Sequence, residues 1–217
     1  APGAPTTPTT PVLVERPDSP QTMLLVIAPG PAAGAAGRPA EALVYTVLGG
    51  TFTSRLNQVL REDKGYTYGA RARLPFQRGP GRATAGASVQ TKVTQPALSD
   101  LRAQIAKMQA EGPTAAELEK ARATARNGDV QAYEAVDDAA DRLALLAGLG
   151  LAPEYDAAAA KLTEAVDLEA AKKAAAGLTL PAGAVVAVGD PAVVRAALQG
   201  LGLPAPEVRD ASGAVAE

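Results

Sequence analysis

The chain contains no histidine and no cysteine. Without imidazole or thiolate, the usual donor sets of a hydrolytic zinc site are missing. Ser–His and Cys–His nucleophile systems are excluded for the same reason, as are disulfides. Tryptophan is also absent, and aromatics make up only 3% of residues. The core must therefore be built mainly from Ala, Leu and Val, in close-packed layers of helix and sheet. No apolar run approaches the roughly 20 residues of a membrane span. No secretory signal is recognisable at the start of the chain. Neither sign of charge dominates, since 21 basic and 23 acidic residues leave a net −2. The longest contiguous basic run is the pair Lys172–Lys173, which reads as a solvated helix face. Nucleic-acid binding needs a basic patch to neutralise phosphates and is not expected. The carboxylates Asp137, Asp138 and Asp141 cluster, but on a helical stretch without the turn of a calcium loop, so they read as surface charge.

What is present suffices for one substantial core. A chain of 217 residues buries roughly 70% of the surface its unfolded state exposes. Residues 1–11 are rich in Pro and Thr and read as an extended linker or tail. Residues 12–217 read as a single domain. Val12–Glu15 and Gln21–Ala28 are strand-like, with turn chemistry at 16–20 between them. Ala40–Leu48 reads as a helix ending at Gly49-Gly50. Thr51 or Thr53 is a candidate cap for a second helix, Ser54–Asp63, which Gly65 ends. Two runs then alternate with period two. Tyr68, Ala70, Ala72, Leu74 and Phe76 share one face of the first, and Ala83, Ala85, Ala87, Val89 and Thr91 one face of the second. This is a β-hairpin with a buried side.

Leu98, Leu101, Ile105 and Met108 mark an amphipathic helix. Thr114 and Glu117 have capping-box spacing, and 115–148 favours helix throughout apart from Gly128. Further helices fit 153–165 and 167–176. Ala184–Gly189 is a buried strand, Pro191–Leu201 a helix, and Pro206–Arg209 an edge strand. Hairpins in place of regular β-α alternation predict an α+β fold, with a mixed, largely antiparallel sheet and helices packed on one face.

The stretch from Leu48 to Ala70, LGGTFTSRLNQVLREDKGYTYGA, concentrates the chemistry. Stability alone accounts for much of it. The glycine pair can end a helix, Arg61 and Lys64 suit the negative end of a helix dipole, and Tyr66 and Tyr68 are good strand residues. Glu62 and Asp63 occupy the same final turn, where carboxylates are mildly unfavourable, so the turn was not tuned for stability alone.

This segment resembles the second-half domains of the pitrilysin/insulinase family of zinc peptidases, which includes the mitochondrial processing peptidases. The resemblance extends to VLVERPDSPQTMLLVIAPG, ASVQTKVTQPALSDLRAQI, VVAVGDPAVVRAAL and PEVRDASG, and covers roughly residues 11–212. It implies one half of a two-part enzyme built around an enclosed chamber. The zinc-motif-bearing half, a separate subunit or an upstream domain, would carry His-x-x-Glu-His. This half would carry no metal and no cofactor, with zinc expected in the partner. Matched residue by residue, the family's assisting Arg falls on Arg61 and its Tyr on Tyr68, in trans to the partner's zinc site. Tyr66 is a second choice for substrate binding. The Tyr hydroxyl would stabilise charge building on the scissile carbonyl. The guanidinium would hold backbone carbonyls of an extended peptide, itself added as a strand to a sheet edge of the partner.

Two other readings stand beside this one. A structural or scaffold subunit of the same fold would have no role in catalysis, and retention of the Arg and Tyr speaks against it. A generic α/β module for a small ligand finds no phosphate-loop glycine pattern to support it. A start at Ala1 without Met, followed by Thr and Pro, suggests a piece of a longer or exported chain, which favours a periplasmic or secreted setting.

Overall fold

Alternating burial along Gln21–Gly30 shows how the sheet is built. Thr22, Leu24, Val26 and Ala28 are buried, while Met23, Leu25 and Ile27 face the other way and stay partly exposed. The computed structural model describes residues 10–210 and 212–215. Most of the expected linker lies outside these. Pro11 already belongs to the sheet margin, where its carbonyl accepts from the Glu207 amide at 2.8 Å.

Six strands form one sheet: β1 (Val12–Glu15), β2 (Gln21–Gly30), β3 (Ala70–Arg73), β4 (Gly81–Gln90), β5 (Ala184–Gly189) and β6 (Glu207–Arg209). Their order is β3-β4-β2-β5-β1-β6. The β3–β4, β4–β2 and β2–β5 pairs are antiparallel, while β1 runs parallel to β5 and β6. The sheet is mixed, as the sequence implies. The two opening strands do not pair with each other, because β5 inserts between them from the far end of the chain.

The helices are α1 (Arg38–Tyr45), α2 (Arg55–Asn57), α3 (Thr94–Glu111), α4 (Ala115–Gln131), α5 (Val136–Leu149), α6 (Tyr155–Ala165), α7 (Leu168–Ala176) and α8 (Pro191–Gly200). Leu98, Leu101, Ile105 and Met108 of α3 pack with Leu24, Val26, Ala85 and Ala187 of the sheet in one core. Aspartates cap two of the later helices. Asp167 accepts from the Ala170 amide at α7, and Asp190 from the Ala192 and Val193 amides at α8.

Three local expectations are corrected. The helical stretch 115–148 is two helices, because the chain turns at Ala132–Ala135. Tyr133 in that turn and Arg142 in α5 both donate to Asp156 of α6, at 2.7 and 2.6 Å, which ties the turn and α5 to α6. Gly128 stays inside α4. The first hairpin strand is only Ala70–Arg73, and not the whole alternating run. The helices before and after the glycine pair open into wide turns, Thr46–Gly50 and Gln58–Asp63.

Candidate functional site

The site segment is held at three points. First, Gly49 lies so close to β3 that an added Cβ would sit 2.1 Å from the Ala72 amide nitrogen. Second, the helix start at Ser54 carries Arg55 inward. Its guanidinium makes a two-point pair with Glu117 of α4, at 2.7 Å through both Nε and Nη2, and donates to the Gly112 carbonyl at 2.9 Å. Neither Thr51 nor Thr53 caps this helix; the cap position is Ser54 in extended conformation.

Third, Asn57 is buried, and its amide is fully used. It donates to the carbonyls of Thr51 and Ala70 at 2.8 and 2.9 Å and accepts from the Ala70 amide at 2.8 Å. The side chain thus plays the part of a neighbouring strand for Ala70 and closes the outer edge of β3. The sequence pattern assigned no role to Asn57 or Arg55. Their roles depend on partners that the fold brings near. Replacing Asn57 by Ala leaves the buried amide and carbonyl of Ala70 unpaired, at about 1–3 kcal/mol each when nothing relaxes. A loss of about 3 kcal/mol in denaturant unfolding is expected.

Glu117 serves two tasks. It accepts from Arg55 and, in the capping box, from the Thr114 amide at 2.8 Å. The Arg55 hydrogen bond first, then the Thr114 bonds, hold its carboxyl down to about 2 against a burial penalty that acts the other way. A depressed carboxylate contributes stability that is complete above its unfolded value near 4.5 and is lost as pH falls toward the folded value. Acid unfolding titrations should therefore show roughly 2 kcal/mol vanishing between about pH 4.5 and pH 2. That step should be absent in Glu117→Gln.

The residues expected to assist, Arg61, Tyr66 and Tyr68, lie past α2. The backbone closes there by a long-range cap: Gly65 takes φ +62°, its amide donates to the Arg61 carbonyl, and the Tyr66 amide donates to the Leu60 carbonyl at 2.8 Å. This wide closing bond and the left-handed glycine end the helix and aim the chain toward β3. Arg61 is half-exposed. Its guanidinium stacks over the Phe52 ring at 4.9 Å and pairs with Glu62 at 3.4 Å. Phe52, which the sequence reading did not single out, is 67% exposed. It stands at the mouth of a cavity of about 330 Å³ between the Thr51–Ser54 turn and α4.

Tyr66 and Tyr68 separate. Tyr66 is half-buried against the core. Tyr68 is 93% exposed, although strand parity with Ala70 and Ala72 predicts a buried place. The cause is Thr67. Its hydroxyl donates to the Ser88 carbonyl at 2.7 Å and accepts from the Gly69 amide at 3.1 Å, so regular pairing starts only at Ala70. No hydrogen bond or ring contact joins Arg61, Tyr66 and Tyr68 to one another among the described residues. Nor do three carboxylates converge as a metal cage there. With no His or Cys in the chain, these residues do not fit a zinc ion.

Residues 1–125 match the family model described as "Peptidase M16 inactive domain". The match spans more than half the chain, and the chain belongs to this family. No curated protein matches it. Among solved structures, it is similar to a peptidase M16 inactive domain from Pseudomonas fluorescens, with 22% identity, 87% of this chain and 45% of that one covered, and TM-score 0.77. A protease from Helicobacter pylori shares the fold at 14% identity and TM-score 0.74, with 83% of this chain and 44% of that one covered. A candidate zinc protease from Bordetella pertussis matches at 22% identity and TM-score 0.68, covering 77% of this chain and 93% of that one. At these identities the likeness establishes the fold. The chain spans less than half the length of the first two structures.

Proposed function

We propose that this domain is the non-catalytic half of a two-part zinc peptidase, which binds extended peptide and assists the transition state at a zinc site carried by a partner half. The observation that carries the reading is Tyr68, a phenol driven out of the sheet by a built turn and left with no partner of its own. A core tyrosine would satisfy its hydroxyl internally; this one is presented outward, seven positions after Arg61. In the assembled enzyme the Tyr68 hydroxyl donates to the carbonyl oxygen under attack. Arg61, steadied by Phe52, holds carbonyls of the peptide backbone. Zinc belongs to the partner in this reading, because this chain has neither His nor Cys to hold it.

The buried edge of β3 fits the same division. With Asn57 and the Gly49 turn occupying that edge, no peptide strand can add there. Strand addition is left to the partner half. A scaffold role without chemistry is the second reading, and the observation favouring it is the absence of any contact joining Arg61 to Tyr68.

The test is reconstitution with a half that carries His-x-x-Glu-His. Peptide cleavage should be absent from this chain alone and appear on mixing. A partner as active alone as in a stable mixture would support the scaffold reading and defeat the proposal.

A further inference from the structure

From Lys64 to Ser99 the sequence holds six basic residues (Lys64, Arg71, Arg73, Arg78, Arg82 and Lys92) and no Asp or Glu. The whole chain is slightly acidic, so this charge is segregated, and the β3–β4 hairpin lies inside the segment. Register decides where the guanidiniums go. Ala70 and Ala72 take the covered side of β3, so Arg71 and Arg73 stand on the open face of the sheet. They lie opposite Gly86 and Thr84 of β4. Arg82 shares the parity of Thr84 and Gly86 and is exposed as well. Arg71 and Arg73 are about 7 Å apart along the strand, close enough for like charges to repel by roughly 0.6 kcal/mol even in water. None of the three arginines has an ion-pair partner among the described residues. The arrangement gains nothing for the folded chain by itself.

Beside these arginines runs a groove of about 320 Å³. Arg71 and Arg73 form one wall, and Met23 and Leu25 of β2 the other. Gly69 and Gly86 line its floor, and the Leu25 side chain leans over the buried Gly86. Gly86 has no room for a side chain, since a Cβ would lie 2.1 Å from the Leu24 carbonyl oxygen and 2.7 Å from Leu25 Cδ2. The groove begins at Gly69, directly after Tyr68.

We propose that this groove takes a carboxylate side chain of the extended peptide, so that the substrates of the assembled enzyme are acidic peptides. The inference rests on the reading of Tyr68 given above and deepens it. A carboxylate meets guanidiniums in planar, two-point geometry, and its methylene stem lies along Met23 and Leu25. A nucleic-acid backbone would need a longer cationic track than one narrow groove with an apolar wall.

The experiment uses the full chain and two fluorescein-labelled extended peptides, identical except for two Glu in one and two Gln in the other. Fluorescence anisotropy at low salt should show the Glu peptide binding about fivefold more tightly. The advantage should shrink with salt and disappear in R71E/R73E, with thermal melting unchanged because both side chains are exposed. Should that variant melt early, R71Q/R73Q replaces it with the same expected loss. Equal binding of the two peptides overturns the proposal. So does tighter binding of a single-stranded oligonucleotide, or a Glu preference that survives both variants. In the mixed enzyme, R71E/R73E should invert the kcat/KM ratio of the two peptides. If it instead dissociates the halves and leaves that ratio unchanged, the face docks the partner and the proposal falls. The Tyr68 reading fails separately: Tyr68→Phe then keeps its full rate while the Glu preference of the isolated chain persists.

Discussion

Gly49→Ala should lower the stability of the domain by about 3 kcal/mol or more, whereas Gly50→Ala should cost under about 1 kcal/mol. The two glycines are adjacent, yet their surroundings differ. A Cβ on Gly49 would meet the Ala72 amide nitrogen at 2.1 Å, Ala72 Cβ at 2.8 Å and the Arg71 carbonyl carbon at 2.8 Å. Two of these are backbone and cannot rotate away. β3 would have to move, but it is laddered to β4 on one side and pinned by Asn57 on the other. A Cβ on exposed Gly50 would meet only the Thr46 side chain, at 3.3 Å. Denaturant unfolding of both variants measures the difference. A drop of roughly 10 °C in Tm is expected for Gly49→Ala, and equal costs at the two positions would show that β3 is not packed against this turn. A helix-ending role shared by the pair is thus only part of the account. The first glycine is required by contact, and the second is not.

The second large effect is kinetic. In a purified mixture with the zinc-bearing half, Tyr68→Phe should reduce kcat by about 10²–10³ with little change in KM, the range for loss of one donor to a developing oxyanion. Stability should not change, because the ring is exposed and the hydroxyl has no partner in the folded chain. Arg61→Ala should act differently. It removes the proposed clamp on substrate carbonyls and the stack on Phe52, so most of its effect should fall on KM. The two substitutions together separate assistance in the transition state from binding in the ground state.

Much of the fold was legible because it rests on local pattern. The period-two burial of β4, the three-and-four spacing of α3 and the capping box at Thr114 all follow from neighbours in sequence. The strand order was not legible. β5 enters between β1 and β2 from about 160 residues away in sequence, and periodicity carries no information about such pairing. The site was half legible. The motif marked Arg61 and Tyr68, but the alternation from Tyr68 to Phe76 placed Tyr68 inside. The Thr67 hydroxyl and the Asn57 amide replace regular backbone pairing there, and both act through partners distant in sequence. Arg55 was visible as a residue but not as a brace, since its partner Glu117 is 62 positions on. The segregated charge of the hairpin could have been counted directly. It was hidden by the near-neutral total and by the lack of any contiguous basic run.

The central claim is that this domain completes an active site across an interface. The most direct measurement is kcat for peptide cleavage by a purified stable complex with the zinc-bearing half, comparing the unaltered domain with one carrying both Arg61→Ala and Tyr68→Phe, after sedimentation shows equal assembly. A loss of at least about 100-fold is expected in the altered complex. An unchanged kcat would contradict the claim and leave the domain as scaffold.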